Sequence, residues 1–537
     1  MTRILRTYKR WAFALGVALT PALASAQAAQ TPVVAGQQAP STVDRYVPGQ
    51  AIPELPAGST MLPMTLEQAM DRALEKNLSL KVARLNPQSV DYQLASARAA
   101  FSPQFTSLYS YRDAAAPNNN RLEERLTVNT IGQNFNVGMS QTTPWYGGRL
   151  TAAFNNSRSA TNSSQAQRNP AFSAGLQFNY TQPLLAGFKI DNSRNQLRTL
   201  SVQRQVADIQ LLTTIENTKA TVRTAYWNLR QAIEQIEIQR RSLGLAERLY
   251  QENRTKVEIG TLAPIETTTS EAQVANAEQA LLNAQIQWRT AELAIKQLLA
   301  DSPQDELYNQ TINPIETAPE VVTEVDIPAA VKRALAERTD LTQSRRNLEV
   351  TQMNLSLTGD QTKPQLDLSG GYGLSGQGGP LFANGIISAP GGWGQALSAL
   401  SGFDVPTWNF QFNFTYPLFM RAAKANYARA QLQMQQSIAQ LQAQELQVST
   451  LVTNAGLAVE NSYKQFQAAR KAREVAERNA DAEQTRFDVG MSTNYNVVQA
   501  QNNLTSQRLT ELRAIISYLN AISEFERVQR FGNTGGN

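Results

Sequence analysis

The sequence predicts an α+β membrane protein built from two internal repeats, each a group of strands followed by a long helix, a glycine and a second helix. Three observations carry this reading. Pro103-Gln104-Phe105 returns 261 positions later as Pro364-Gln365-Leu366, and Leu176–Leu184 (LQFNYTQPL) returns 234 positions later as Phe410–Leu418 (FQFNFTYPL). The segments around these matches alternate apolar and polar residues with a period of two, as strands do. Two further stretches, each free of proline for more than sixty residues, carry a heptad pattern. Duplication of a mixed β-then-α unit is read before any local signal, and two equivalent units suggest a symmetric object built around an axis.

Taken in order, residues 1–26 have a basic start (Arg3, Arg6, Lys9, Arg10), an apolar stretch from Trp11 to Ala24, and Ala24-Ser25-Ala26 as a small-residue cleavage site. They read as a signal peptide, so the mature chain is expected to begin near Gln27, outside the cytoplasm. Losing this leader removes four cations and no acids, lowering the net charge from +5 to +1. The pI of 9.2 is then largely a property of the leader and no argument for nucleic acid. No cysteine occurs, which argues against a lipoprotein anchor. With no histidine either, imidazole bases, thiolate nucleophiles and the usual zinc ligand sets are impossible. No catalytic, metal or cofactor-binding residue is assigned, and an enzyme is not expected.

Residues 27–63 are rich in Pro, Ala, Gln and Gly and read as an extended lead-in. Met64–Ala100 and Ile327–Leu357 are helical by pattern, each ending just before the strand that starts at the shared proline, and Pro87 is expected to break or kink the first. Arg72-Ala73-Leu74 against Arg333-Ala334-Leu335 keeps the 261 spacing. Beyond the leader no segment offers the ~18 apolar residues that a spanning helix requires. A mature chain that crosses a membrane must therefore do so as a closed β-barrel, which pairs every backbone group in lipid.

The strands carry the clearest two-residue period. Trp408, Phe410, Phe412, Phe414 and Tyr416 alternate with Thr407, Asn409, Gln411, Asn413 and Thr415. Earlier, Phe172, Ala174, Leu176, Phe178 and Tyr180 alternate with Ser173, Gly175, Gln177, Asn179 and Thr181. One aromatic face and one uncharged polar face suit a wall between lipid and a wet lumen. The same alternation also fits an antiparallel sheet with one face on a soluble core. Phe105, Tyr109 and Tyr111, with Leu366 and Tyr372, mark the strands leading upward. Gly376–Asp404 reads as a Gly, Ser and Ala loop. In its place the first half has two strand-like runs, Leu126–Gln141 and Arg149–Arg158, about the turn Pro144–Gly148. They fit an extra outward-facing hairpin, or additional barrel strands within 126–158.

Asp191–Ile259 and Ala422–Val489 each read as one nearly uninterrupted helix, broken in pattern only by Gly244 and Gly456. At 1.5 Å per residue, ~68 residues extend roughly 100 Å. In the first, Ala225, Ala232, Gln239, Ala246 and Asn253 repeat every seven, interleaved with Leu229, Ile236, Leu243, Tyr250 and Val257. Past the glycine, Ala277, Ala284 and Ala291 alternate with Leu281, Trp288 and Ile295, and Ala500, Ala514 and Ala521 with Leu504, Tyr518 and Phe525. Small-against-large seams let antiparallel helices pack closely by knobs into holes. Tyr226–Gly260 is longer than Tyr463–Gly490 by seven, one heptad, which changes length without rotating the packing face. The helices reverse at Ile259-Gly260-Thr261 and Val489-Gly490-Met491, where glycine supplies the left-handed stop and Pro264 and Asn494 suit the next helix start.

This combination resembles the TolC family of outer-membrane efflux and secretion ducts. The resemblance rests on the doubled unit, the strand-to-helix junctions at Gln182-Pro183-Leu184-Leu185 and Tyr416-Pro417-Leu418-Phe419, and the Val-Glu-Ile-Gly and Phe-Asp-Val-Gly tips, and it runs from about Met64 to Arg530. It implies a homotrimer in the outer membrane of a Gram-negative bacterium. In that trimer four strands per protomer build one β-barrel, continued by a long periplasmic α-helical coiled-coil barrel. It also implies docking of the tips Ile259, Gly260, Thr261, Val489, Gly490 and Met491 on a periplasmic adaptor, itself joined to an inner-membrane transporter of ABC, RND or MFS type. Family members narrow the periplasmic entrance just after the tips, often with acids. Here Glu266 holds one such position, while Asn496 and Gln499 replace acids at the others, so a double acidic ring is not implied. A Glu266 ring favouring cations and a glutamate stabilising a helix start both fit.

The expected organisation is a signal peptide (1–26), the lead-in (27–63), a first repeat (64–300), a linker (301–326), a second repeat (327–530) and a tail (531–537). The expected function is a passive exit duct of a tripartite efflux or type I secretion system. The alternatives are a periplasmic adaptor, which would show one helical hairpin flanked by compact β domains, and a barrel-anchored enzyme, for which no paired-carboxylate, Ser/Lys or metal-ligand constellation is found. The substrate is not legible, because a wide polar lumen selects weakly.

Overall fold

The structure is a computed structural model and describes residues 51–117, 123, 125–317, 324–383 and 386–532. The expected signal peptide, most of the lead-in, residues 318–323 of the linker and 533–537 of the tail lie outside the described residues. In chain order the elements are β1 (Thr60–Met64), α1 (Leu66–Lys76), α2 (Leu78–Ala99), β2 (Gln104–Pro117), β3 (Thr127–Thr142), β4 (Arg149–Thr161) and β5 (Ala171–Pro183). The helices α3 (Asn192–Glu258) and α4 (Ile265–Leu299) follow, then β6 (Gln310–Pro314), α5 (Ile327–Glu337), α6 (Thr339–Asp360) and β7 (Gln365–Gly378). The chain ends with β8 (Leu381–Ala383), β9 (Ile386–Ala389), α7 (Trp393–Ser401), β10 (Pro406–Thr415), α8 (Arg421–Asp488) and α9 (Asn494–Arg530).

The two rods are α3, 67 residues, and α8, 68 residues, and both run unbroken through Gly244 and Gly456. α4 packs back along α3, α9 packs back along α8, and α3 meets α9 between the two pairs. The seams bury the small and large residues of the heptads: Ala232, Leu229, Ile236 and Ala246 of α3, Ala277, Ala284, Trp288 and Ile295 of α4, and Ala500, Leu504, Tyr518 and Phe525 of α9. Fully burying one large apolar side chain contributes roughly 1.5–3 kcal/mol, so the core is a long sum of seam contacts rather than one centre. At the waist β1 and β6 pair in parallel, and the Tyr226 hydroxyl donates to the Met64 carbonyl at 3.0 Å.

The first helical run breaks at Asn77 and not at Pro87, which lies inside α2. Asn77 leaves helical geometry, caps α2 by accepting from the Leu80 amide at 3.1 Å, and donates to the Leu298 carbonyl at the end of α4. Arg338 makes the corresponding break between α5 and α6 and donates to the Val528 carbonyl of α9 at 2.7 Å. Each break is thus tied by a side-chain bond to a carbonyl in the last turn of a neighbouring helix, one of the groups that lack an intrahelical partner.

The long strands form one antiparallel sheet in the order β10-β7-β5-β4-β3-β2. Six strands replace the four implied by the resemblance. β3 and β4 pair over their full lengths with each other and with β2 and β5, so residues 127–161 are strands of the main sheet and not an outward-facing hairpin. Their turn lies at the helix end of the sheet, where the Tyr146 ring stacks on Phe188 at 4.8 Å and the Gln182 amide donates to the Tyr146 carbonyl. The stretch expected to be a loop, Gly376–Asp404, contains the end of β7, the β8–β9 hairpin and α7.

Candidate functional site

The register places one side-chain face continuously across all six strands. Phe105, Met139, Ala152, Phe178, Tyr372 and Trp408 stand in one row, flanked by Leu150, Tyr180 and Phe410 on the helix side. Phe412 and Phe414 extend the same face to the end of β10, where Phe410 and Phe412 meet edge to face at 5.0 Å. Its charges, Asp113 and Arg158, stand at the end of the sheet remote from the helices. On the opposite face stand Thr106, Ser110, Asn134, Asn136, Asn155, Ser157, Gln177, Asn179, Asn409, Gln411 and Asn413. Neighbouring strands share polar contacts there: Asn134 donates to Ser110 at 3.1 Å, and Thr181 and Ser369 hydroxyls lie 3.0 Å apart. Such a face is wetted readily, while the other exposes contiguous aromatic surface of the kind a lipid boundary covers.

The junctions at Pro183 and Pro417 turn strand into rod. After Pro183 the chain stays paired with the start of β7, the Leu184 amide donating to the Leu366 carbonyl at 2.7 Å. Arg194 then anchors the start of α3 by donating to the Phe188 carbonyl at 3.1 Å and to the Asp191 carboxylate at 2.6 Å. After Pro417 the turn runs through Phe419 and Met420, both with positive φ.

At the far end the two tips close with the same bonds. Gly260 and Gly490 have φ of +78° and +79°. The Gly260 amide donates to the Val257 carbonyl and the Thr261 amide to the Lys256 carbonyl, while Gly490 and Met491 repeat the pair on Phe487 and Arg486. These are Schellman stops, which require the left-handed residue that glycine supplies without strain. α9 is capped by Thr493, which accepts from the Asn496 amide, rather than by Asn494. Ile259, Val489 and Met491 are 68%, 66% and 79% exposed, apolar side chains held open at the very ends. The tips are neighbours: Lys256 sits 3.8 Å above the Phe487 ring, over a small core of Leu249, Phe487 and Val497.

Just behind the tips lies a polar cluster that sequence reasoning misses. Asn253, fully buried, donates to the Ser270 hydroxyl at 2.6 Å and to Asn494 at 2.9 Å, and Asn494 donates to Glu266 at 3.0 Å. Glu266 is thereby tied to the start of α9, in the other tip. Asn496 and Gln499 are exposed on α9 and bond within that helix end, to Ser492 and Tyr495. The signal for the cluster is Asn253 itself, a polar residue in the small heptad position. Further up the rods, Arg473 pairs with Glu477 and Glu511, and Arg508 with Glu477. Burial pushes the Glu511 carboxyl above its ordinary range and the Arg508 guanidinium below its own.

No helix among the described residues is long and apolar enough to cross a membrane, and no group of three or more acids there is placed to hold a metal ion. The family model for outer membrane efflux proteins matches residues 69–301 and 330–526. Comparison with curated protein sequences gives no match. Among solved structures, the CmeC outer membrane channel of Campylobacter jejuni is 17% identical, over 86% of this chain and 85% of that one, with a TM-score of 0.62. The outer membrane protein VceC of Vibrio cholerae is 14% identical, over 87% and 96%, at 0.62. The open state of the MtrE outer membrane channel of Neisseria gonorrhoeae is 17% identical, over 91% and 98%, at 0.60. At such identities the likeness is one of fold, and the family match adds membership: this chain belongs to the outer membrane efflux protein family.

Proposed function

We propose that the chain is the outer-membrane channel of a tripartite efflux or type I secretion system in a Gram-negative bacterium, a passive exit duct that works as a homotrimer. The observation that carries the reading is the two-faced sheet. Its aromatic face suits lipid, its polar face suits a wet lumen, and its strands continue at Pro183 and Pro417 into two helices of roughly 100 Å. Rods of that length span a compartment, so the duct would reach from the outer membrane through the periplasm. Energy for transport would come from an inner-membrane transporter of ABC, RND or MFS type, because a conduit needs no catalytic group. The adaptor alternative requires a single helical hairpin between compact β domains, and two hairpins joined to one large sheet do not support it.

Docking on a periplasmic adaptor is assigned to Ile259, Gly260, Thr261, Val489, Gly490 and Met491, and the entrance behind them to Glu266, Asn496 and Gln499. The test is a pair of substitutions at each glycine. Gly260→Arg and Gly490→Arg place bulk and charge at the contact, whereas Gly260→Asn and Gly490→Asn keep a residue that tolerates positive φ. The arginine variants are expected to abolish export while trimer and surface expression persist, and the asparagine variants to keep most of it. Normal export in both arginine variants would remove docking from the tips.

A further inference from the structure

We infer that the sheet closes with two further copies of this chain into an eighteen-stranded barrel, three sheets of six, whose wide lumen carries no plug from the β7–β10 connection. The inference rests on the trimeric reading above, but the strand number and the open lumen are its own.

The sheet has two open edges, β2 and β10. Every residue of β10 is exposed, and so are nearly all of β2, so both edges offer unpaired backbone groups within this chain. In lipid each such group costs several kcal/mol, so the edges must be paired and one copy does not pair them. Their polarity fits a second copy. β2 runs away from the helices and β10 runs back toward them, so β10 of one chain meets β2 of the next antiparallel, continuing the order of the sheet. Their faces fit too. Phe105, Tyr109 and Tyr111 lie on the same side as Trp408, Phe410 and Phe412, so closure keeps aromatic residues outside and Thr106 and Asn413 inside.

Barrel diameter grows roughly linearly with strand number, so eighteen strands make a lumen about half again as wide as twelve, in the range where porins hold an aqueous channel. A channel of that width could still be filled by an inserted segment, and the β7–β10 connection, residues 379–405, is the longest between paired strands at the end of the sheet remote from the helices. Its helix α7 lies on the other side. The Trp393 ring of α7 lies 5.3 Å from Phe172, and a Cβ at Gly376 or Gly378 would overlap the carbonyls of Ala396 or Gly392. Gly376 and Gly378 share the face of Tyr372 and Leu374, the aromatic one, so α7 covers the lipid side near the remote end. Ser375 and Gln377, on the polar face at the same level, remain exposed.

The absence of native cysteine makes the test direct. Asn413→Cys is combined in turn with Gln104→Cys, Thr106→Cys and Leu108→Cys, all on the polar face, and with Phe105→Cys and Ser107→Cys on the opposite face, then oxidised in outer-membrane fractions. Covalent ladders ending at three chains, from polar-face pairs alone, are expected. A ladder ending at two chains in a protein that still conducts would overturn the eighteen strands while leaving the channel reading intact. Equal cross-linking from both faces would overturn the edge pairing. In a second arm, single variants Ser375→Cys and Gln377→Cys are treated on intact cells with a bulky, membrane-impermeant maleimide. Labelling of both is expected; protection of both would show an obstructed exit and overturn the open lumen.

Discussion

Glu266 shows how much one side chain can hold. Its carboxylate accepts from Asn494, which also meets buried Asn253 and Ser270, so the residue assigned to the entrance also joins α4 to α9. Glutamine keeps an acceptor oxygen in the same place, and Glu266→Gln therefore removes charge while keeping the bond. In planar bilayers this variant is expected to lose cation preference with little change in conductance, because in the proposed trimer three carboxylates around a narrow axis would act at short range with weak screening. Unchanged cation preference would leave Glu266 a purely structural residue. At this scale the glycines of the tips are legible in the sequence, since only the left-handed stop explains a lone glycine between two heptad helices. The Asn253 cluster is not, because its partners come from three helices that meet only after folding.

At the scale of elements, helix length and seam are legible because period and the absence of proline extend over many turns. Gly244 and Gly456 look alike in that pattern and differ in place. Gly244 has open space around it within the chain, whereas a Cβ at Gly456 would press to 2.8 Å from Ile327 of α5. Gly244→Ala is expected to stabilise α3 by roughly 0.5–1 kcal/mol through reduced backbone entropy, read as a higher melting temperature in detergent. Gly456→Ala is expected to give no gain or a loss, since the helix benefit is offset by displacement of Ile327. A gain at 456 equal to that at 244 would contradict the packing of α8 on α5. The strand count is the least legible feature: residues 127–161 alternate like their neighbours, and alternation does not say what a strand pairs with. Nor does a Gly, Ser and Ala stretch reveal α7, whose helix rests on a shelf of glycines in β7.

For the whole molecule, one physical claim organises the rest: the aromatic face lies in lipid, the polar face lines water, and the rods hang from the sheet as the wall of a shaft. The sequence carries this as an alternation that a soluble sheet would share, so the pattern alone does not decide between the two. The folded sheet adds two things: a face that is continuous over six strands and two open edges of matching polarity. A water-soluble monomer would leave both exposed, a template for aggregation. The most direct measurement is the mass and location of the mature chain, by membrane fractionation and light scattering of the extracted protein. The account predicts three chains per particle, in the outer membrane and soluble only in detergent, and a detergent-free monomer in the soluble fraction would contradict it.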